Sequence, residues 1–238
     1  MKSFLSLVLL TILMLLTQGS RQLQCEELFT AKVYQQGTNK KLLFVKRNRI
    51  TKKGNKTILT HLYTNPNGKM AAFEEVTLIN NILVNYLVEM PLSNCGCLLT
   101  KQGNKFTFLF TRGKKKKKGK APYRNNIVVG PTLTDFVGKK WNTLQKGKKV
   151  YFMLPAMSLQ RMAQFYLQKN LKSKYNRKGV TVIQMNIANV LFRVFVSSVD
   201  LVYDNKTKKV LEIHGKSLLQ KKINGKIVNP IVDIYYKY

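Results

Sequence analysis

Lys56-Thr57-Ile58-Leu59-Thr60-His61-Leu62-Tyr63-Thr64-Asn65-Pro66-Asn67-Gly68-Lys69-Met70-Ala71-Ala72-Phe73-Glu74-Glu75-Val76-Thr77-Leu78-Ile79 is the stretch that decides the fold class. Two runs rich in β-branched and aromatic residues, Lys56 to Tyr63 and Met70 to Ile79, flank a cluster of Asn, Pro and Gly. That is the composition of a strand, a reversal and a second strand. The pattern repeats to either side. Leu28 to Tyr34, Lys41 to Ile50, Ile82 to Glu89 and Lys105 to Thr111 read as strands, with Lys53-Gly54-Asn55 and Gln102-Gly103-Asn104 as turns. Further on, Val150 to Leu154, Val180 to Met185, Val190 to Val196, Leu201 to Tyr203, Lys209 to His214 and Ile231 to Tyr236 continue the series. Asp204-Asn205-Lys206-Thr207 and Asn224-Gly225 supply hairpin signals. Leu159 to Gln168 fits both helical and strand spacing, and its place among strands selects strand. The expected fold is mainly β, a curved antiparallel sheet or open half-barrel.

One helix interrupts the strands, at about residues 132–145, with Pro131 at its start and Gly147 just beyond its end. Leu133, Phe136, Val137, Trp141 and Leu144 form one apolar stripe, which places the single Trp against the sheet.

The chain begins Met1-Lys2-Ser3, runs through an apolar stretch from Phe4 to Leu16 and closes with Thr17-Gln18-Gly19. A charged start, a short apolar core and a small-x-small exit predict a secretory signal over 1–19. A membrane-spanning helix needs about 20 apolar residues. Residues 20–238 then read as a single β-rich domain interrupted by a basic loop at 112–124, exported to the periplasm or cell envelope, with an extracellular location as the alternative. Export reweights the formal charge of +32, from 42 basic and 10 acidic residues. An exported chain meets lipid and envelope polymer, not nucleic acid. Only eight of the basic residues are Arg, the residue whose fork suits phosphate and base recognition. Lys114, Lys115, Lys116, Lys117 and Lys118 form the densest run. It reads as a solvated loop and, functionally, as a peripheral contact with anionic lipid, each near-surface Lys contributing about 1 kcal/mol.

Cys25, Cys95 and Cys97 are the only cysteines. In an oxidising compartment a bridge from Cys25 to Cys95 or Cys97 is expected, with one thiol left over; a strained Cys95–Cys97 bridge is the redox alternative. Catalytic groups are sparse. His61 and His214 have no other ligand nearby in sequence, and Glu26-Glu27 and Glu74-Glu75 place their members on opposite faces of a strand. No Gly-x-Ser-x-Gly or Ser-x-x-Lys nucleophile motif occurs. The expectation is a protein that is not an enzyme and uses no metal or cofactor.

Val129-Gly130-Pro131-Thr132-Leu133, Trp141-Asn142-Thr143-Leu144-Gln145-Lys146-Gly147, Asp200 to Val210 and Glu212-Ile213-His214-Gly215 together resemble uncharacterised exported bacterial proteins. The resemblance covers about Gly130 to Gly215. The strand-rich layout is also similar to the open half-barrels of periplasmic lipoprotein carriers, and that likeness implies a curved sheet cupping acyl chains. Val150, Phe152, Leu154, Phe192 and Val194 are the candidate sheet face, because their segments carry apolar residues at successive positions. The functional expectation is a non-enzymatic envelope protein that binds a lipid or other anionic amphiphile. The alternative is a structural or interaction protein that holds anionic envelope polymer, or a protein partner, through its basic surface. N-terminal sequencing of the protein recovered from a secreting host should begin near Ser20; an intact Met1 would replace the cleaved signal by an uncleaved N-terminal anchor, which leaves the body of the protein on the same side of the membrane.

Overall fold

The computed structural model describes residues 24–37, 41–192, 197–223 and 225–238, so the stretch expected to be a signal, 1–19, lies outside the described residues. Eight strands come first: β1 (Gln24–Gln35), β2 (Leu42–Lys53), β3 (Lys56–Thr64), β4 (Met70–Ile79), β5 (Ile82–Met90), β6 (Cys95–Gln102), β7 (Lys105–Arg112) and β8 (Lys115–Pro122). Two short helices follow, α1 (Leu133–Lys139) and α2 (Trp141–Gln145). The second set is β9 (Val150–Ala156), β10 (Arg161–Lys169), β11 (Val180–Ile187), β12 (Val199–Asp204), β13 (Val210–Lys216), β14 (Lys221–Ile223), β15 (Lys226–Val228) and β16 (Ile231–Lys237).

Fourteen of these strands form one sheet in the order β8-β7-β6-β5-β4-β3-β2-β1-β16-β13-β12-β11-β10-β9. Every ladder in it is antiparallel. Two meanders are thus joined where the first strand pairs with the last, in register from Thr30↔Lys237 to Gln35↔Val232. The turns between neighbours are the short Asn- and Gly-rich ones anticipated, with positive φ at Gly54, Gly68 and Gly103. β14 and β15 pair only with each other among the described strands, and Asn224 of the expected Asn224-Gly225 turn lies outside the described residues.

Period-2 alternation gives the sheet an apolar concave face. In the first meander Val76, Tyr86, Leu99, Phe106 and Phe108 share a cluster with Val129. In the second, Phe152, Leu167, Ile183, Leu201 and Tyr203 pack against Val137, Trp141 and Leu144 of α1 and α2. The helical stripe is therefore core, and the helix breaks at Lys140, where φ and ψ are −104° and 8°. The sheet curls until Gly119 of β8 meets Gln160, the residue before β10, but no ladder forms there. It is curved and open, not a closed barrel.

Three expectations change. The lysine run is not a loop: Gly113-Lys114 is a tight turn with φ +55° at Gly113, and Lys115–Pro122 pairs along its length with β7. Backbone bonding to β7 outweighs side-chain repulsion that solvent screens, and lysines on an edge strand deter further pairing. The expected strand Val190 to Val196 opens instead as a 3-10 turn, Val190–Phe192, because the Asn189 side chain accepts the Leu191 N–H at 2.9 Å. Residues 193–196, Val194 included, lie outside the described residues. The cysteines are all free. Cys25 is on β1 and the other two on β6, five strand positions apart, about 24 Å along the sheet, whereas a disulfide needs Cα atoms within about 7 Å.

Gly119 sits where any side chain would collide, since an added Cβ would lie 2.5 Å from Gln160 Cβ and 2.9 Å from its carbonyl oxygen. Gly119→Val should cost about 1–3 kcal/mol in chemical denaturation. Lys117→Ala, two residues away on the exposed strand, should change stability by less than about 0.5 kcal/mol.

Candidate functional site

The expected ligand face is occupied by the protein itself. Val150 and Phe152 are buried beneath α1 and α2, with Leu154 packed at their margin. Phe192 belongs to the 3-10 turn and not to the sheet. Cys95 and Cys97 lie on the concave face under Phe110; burial first, and then Cys95, pushes the Cys97 thiol up to about 12, while Arg112 acts in the opposite direction. Such a thiol is inert. His61 is on the concave face and His214 on the convex one, so the two imidazoles do not converge. Among the described residues no group of three potential ligands could hold a metal.

Two hollows of about 490 Å³ open on the surface, one along the β1–β16 seam by Tyr34 and Tyr235 and the other, a more apolar groove, at one end of the sheet. Its floor is Leu42, Leu43, Phe44, Met70, Ala71 and Leu92. These come from the start of β2, the start of β4 and the 3-10 turn Pro91–Ser93. Its other wall is Gln220, Lys221 and Lys222, from the excursion between β13 and β16 that carries the β14–β15 hairpin. Leu219 anchors this excursion by burying itself among Val33, Leu43, Phe44 and Val232. The Asn229 amide fastens the base, donating to the carbonyls of Leu218 and Leu219 at 3.0 and 3.2 Å. Lys69, Lys221 and Lys222 stand over the apolar floor, and no carboxylate lines the groove. Burial, and then the charge of Lys41, depresses the Lys221 amine. Gln220 Oε1 is buried without a hydrogen-bond partner. An apolar trough with a cationic rim suits a molecule of matching polarity.

Two polar clusters lie elsewhere. Near the seam, Glu74 accepts hydrogen bonds from Tyr86 (2.5 Å), His61 Nδ1 (3.2 Å) and Tyr63 (3.3 Å). Lys46 Nζ lies 5.3–5.5 Å from the ring centres of Phe29, Tyr63 and Tyr236. Burial lowers the Lys46 amine to about 8, against the attraction of Glu74. Burial alone would raise Glu74; His61, Tyr86 and Lys46 outweigh it and hold the carboxyl below its ordinary value. Burial and then Lys46 lower His61 to about 4, so at neutral pH a neutral imidazole donates to an ionised carboxylate. On the convex face His214 is held by Asp233 (2.7 Å) and Glu212 (2.9 Å) and stacks on Tyr175 at 3.6 Å. Arg177 completes the clasp on Glu212 at 2.6 Å. This cluster pins the loop between β10 and β11. Neither cluster opens on the groove.

Sequence reading located none of the groove residues as a site, since they are brought together by pairings between distant segments. The only local signal was the Asn224-Gly225 hairpin that carries its wall. Comparison with protein-family models, with curated proteins and with solved structures finds no match.

Because His61 in the folded protein takes up a proton only near pH 4, whereas the unfolded chain does so near 6.5, the unfolded state binds more protons between those values. Stability should fall by about 3 kcal/mol as pH drops through that window, and Glu74 extends the loss below it. His61→Gln, which keeps a donor for Glu74 but does not titrate, should flatten the decline in denaturant unfolding across pH 6.5 to 4. A decline of unchanged steepness would assign the acid sensitivity elsewhere.

Proposed function

We propose that the protein is a non-enzymatic, exported binding protein for an anionic amphiphile, held in the groove between β2, β4 and the β14–β15 excursion. The observation that carries this reading is the groove's polarity: its lining includes six apolar residues of β2, β4 and the Pro91–Ser93 turn and three lysines, and no acid. An acyl chain on the floor would gain about 0.8 kcal/mol for each methylene it buries. An anionic head among Lys69, Lys221 and Lys222 would gain charge-assisted hydrogen bonds.

The half-barrel carriers that the sequence resembles imply acyl binding on the concave face. Here that face is filled by α1, α2 and aromatic side chains, and the reading moves to the open end of the curl. The alternative, retention on anionic envelope polymer or a protein partner through the basic surface, rests mainly on Lys114–Lys118. Those lysines already have a role in guarding the β8 edge, so the groove is the stronger support.

Purified protein should take up a fluorescent long-chain fatty acid, displaceable by dodecanoate, and organic extraction should release co-purified lipid detectable by mass spectrometry. Lys69→Glu or Lys222→Glu should weaken uptake about tenfold each, and the neutral Met70→Asn should do so without altering the groove's net charge. Lipid-free protein with no uptake would sink the proposal.

A further inference from the structure

We infer that the β14–β15 hairpin docks the protein onto an anionic lipid bilayer and sets the mouth of the groove at the level of the lipid head groups. The second part deepens the amphiphile reading and rests on it. The first stands on the hairpin alone.

The segment from Lys216 to Ile231 carries Lys216, Lys221, Lys222 and Lys226, and no acidic residue. It also exposes apolar side chains: Leu218 is 75%, Ile231 51% and Ile227 46% exposed. In the hairpin register Lys222 stands opposite Ile227, so a cation and an aliphatic residue share one face. Side chains of this kind can enter the head-group region with the apolar group inward and the ammonium at the phosphates. The hairpin has left the main sheet, while its base is fixed by buried Leu219, by Asn229 and by the Ser217 N–H to Pro230 carbonyl bond at 2.9 Å. It is a projection on a rigid foundation. Since Gln220, Lys221 and Lys222 are also a wall of the groove, a hairpin lying on the bilayer brings the groove to the lipid.

The β8 strand makes the contrast. Its lysines are as dense, but no large apolar residue is exposed along it, so it supplies attraction without insertion. Charge attraction is screened by salt, whereas buried apolar area is not. A bilayer is the partner that uses both features of the hairpin.

The test is co-sedimentation with phosphatidylcholine vesicles, with and without phosphatidylglycerol, at low and high salt. The unaltered protein should bind the mixed vesicles and keep part of that binding at high salt. Leu218→Ser/Ile227→Ser, in exposed residues outside the groove lining, should keep its thermal unfolding temperature and lose about tenfold or more in vesicle partition. What binding is left should be abolished by salt. Replacing Lys115, Lys116, Lys117 and Lys118 together by Ser should lower binding at low salt but keep the salt-resistant part. Fatty-acid uptake from vesicle-free solution should be unchanged in the hairpin variant. Unchanged partition of that variant, or no binding of the unaltered protein to mixed vesicles, overturns the docking. Lost partition in a protein that takes up no fatty acid would leave the docking standing and remove the amphiphile reading.

Discussion

The ladder between β1 and β16 is the interaction on which the rest of the architecture depends. Each meander has local turns and can be assembled from neighbours, but a single concave face exists only because the N-terminal strand hydrogen-bonds to the C-terminal one. Ala31 shows how closely the seam is fitted. It stands opposite Lys46 on one side and Tyr236 on the other, and its small side chain lets the ammonium reach the Tyr236 ring and hydroxyl. Breaking the ladder would expose two more strand edges and uncover Lys46, His61 and Glu74 together.

That buried trio constrains how the strands can pair. Charges removed from water rarely add net stability, and their commoner effect is to penalise wrong arrangements. Lys46 is on β2, His61 on β3, Glu74 on β4 and Tyr236 on β16, so any slip in register would strand a charge in an apolar interior. Asn48 Oδ1 and His61 Nε2, opposite each other across the β2–β3 ladder, are already buried without partners. The cluster tolerates this cost because its remaining groups are well paired. His214 performs the corresponding task on the convex face, fastening a long loop rather than a strand register.

Much of the fold is legible in the chain because its signals are local. Met70–Ile79 is a strand over the span read from composition, and the ambiguous stretch after Leu159 is β10. The lysine run misleads because charge density describes side chains, whereas strand pairing is decided by the backbone and by the neighbour on offer, here β7. The cysteines mislead for another reason, since compartment chemistry says which thiols oxidise but not which lie within reach. The groove is illegible in principle: Leu42, Met70, Leu92 and Lys221 are separated along the chain and meet only after the meanders and the excursion have folded. The helix stripe was legible, but its consequence, that it fills the concave face of the second meander, depends on tertiary packing.

The distribution of charge explains why position matters more than net sign. Of ten carboxylates, Glu74, Asp200, Glu212 and Asp233 are engaged in internal hydrogen bonds to His61, Ser173, Arg177 and His214. Few acids are left to offset the lysines, so the surface repels itself and attracts any anion from most directions. A field that broad draws the molecule toward anionic matter but cannot orient it. Orientation requires apolar contact as well as charge, and the exposed aliphatic residues beside the cationic groove offer both together. Under the proposed docking the lysines would govern the rate of approach and its salt dependence, while Leu218, Ile227 and the groove lining would govern which way round the protein sits once it arrives.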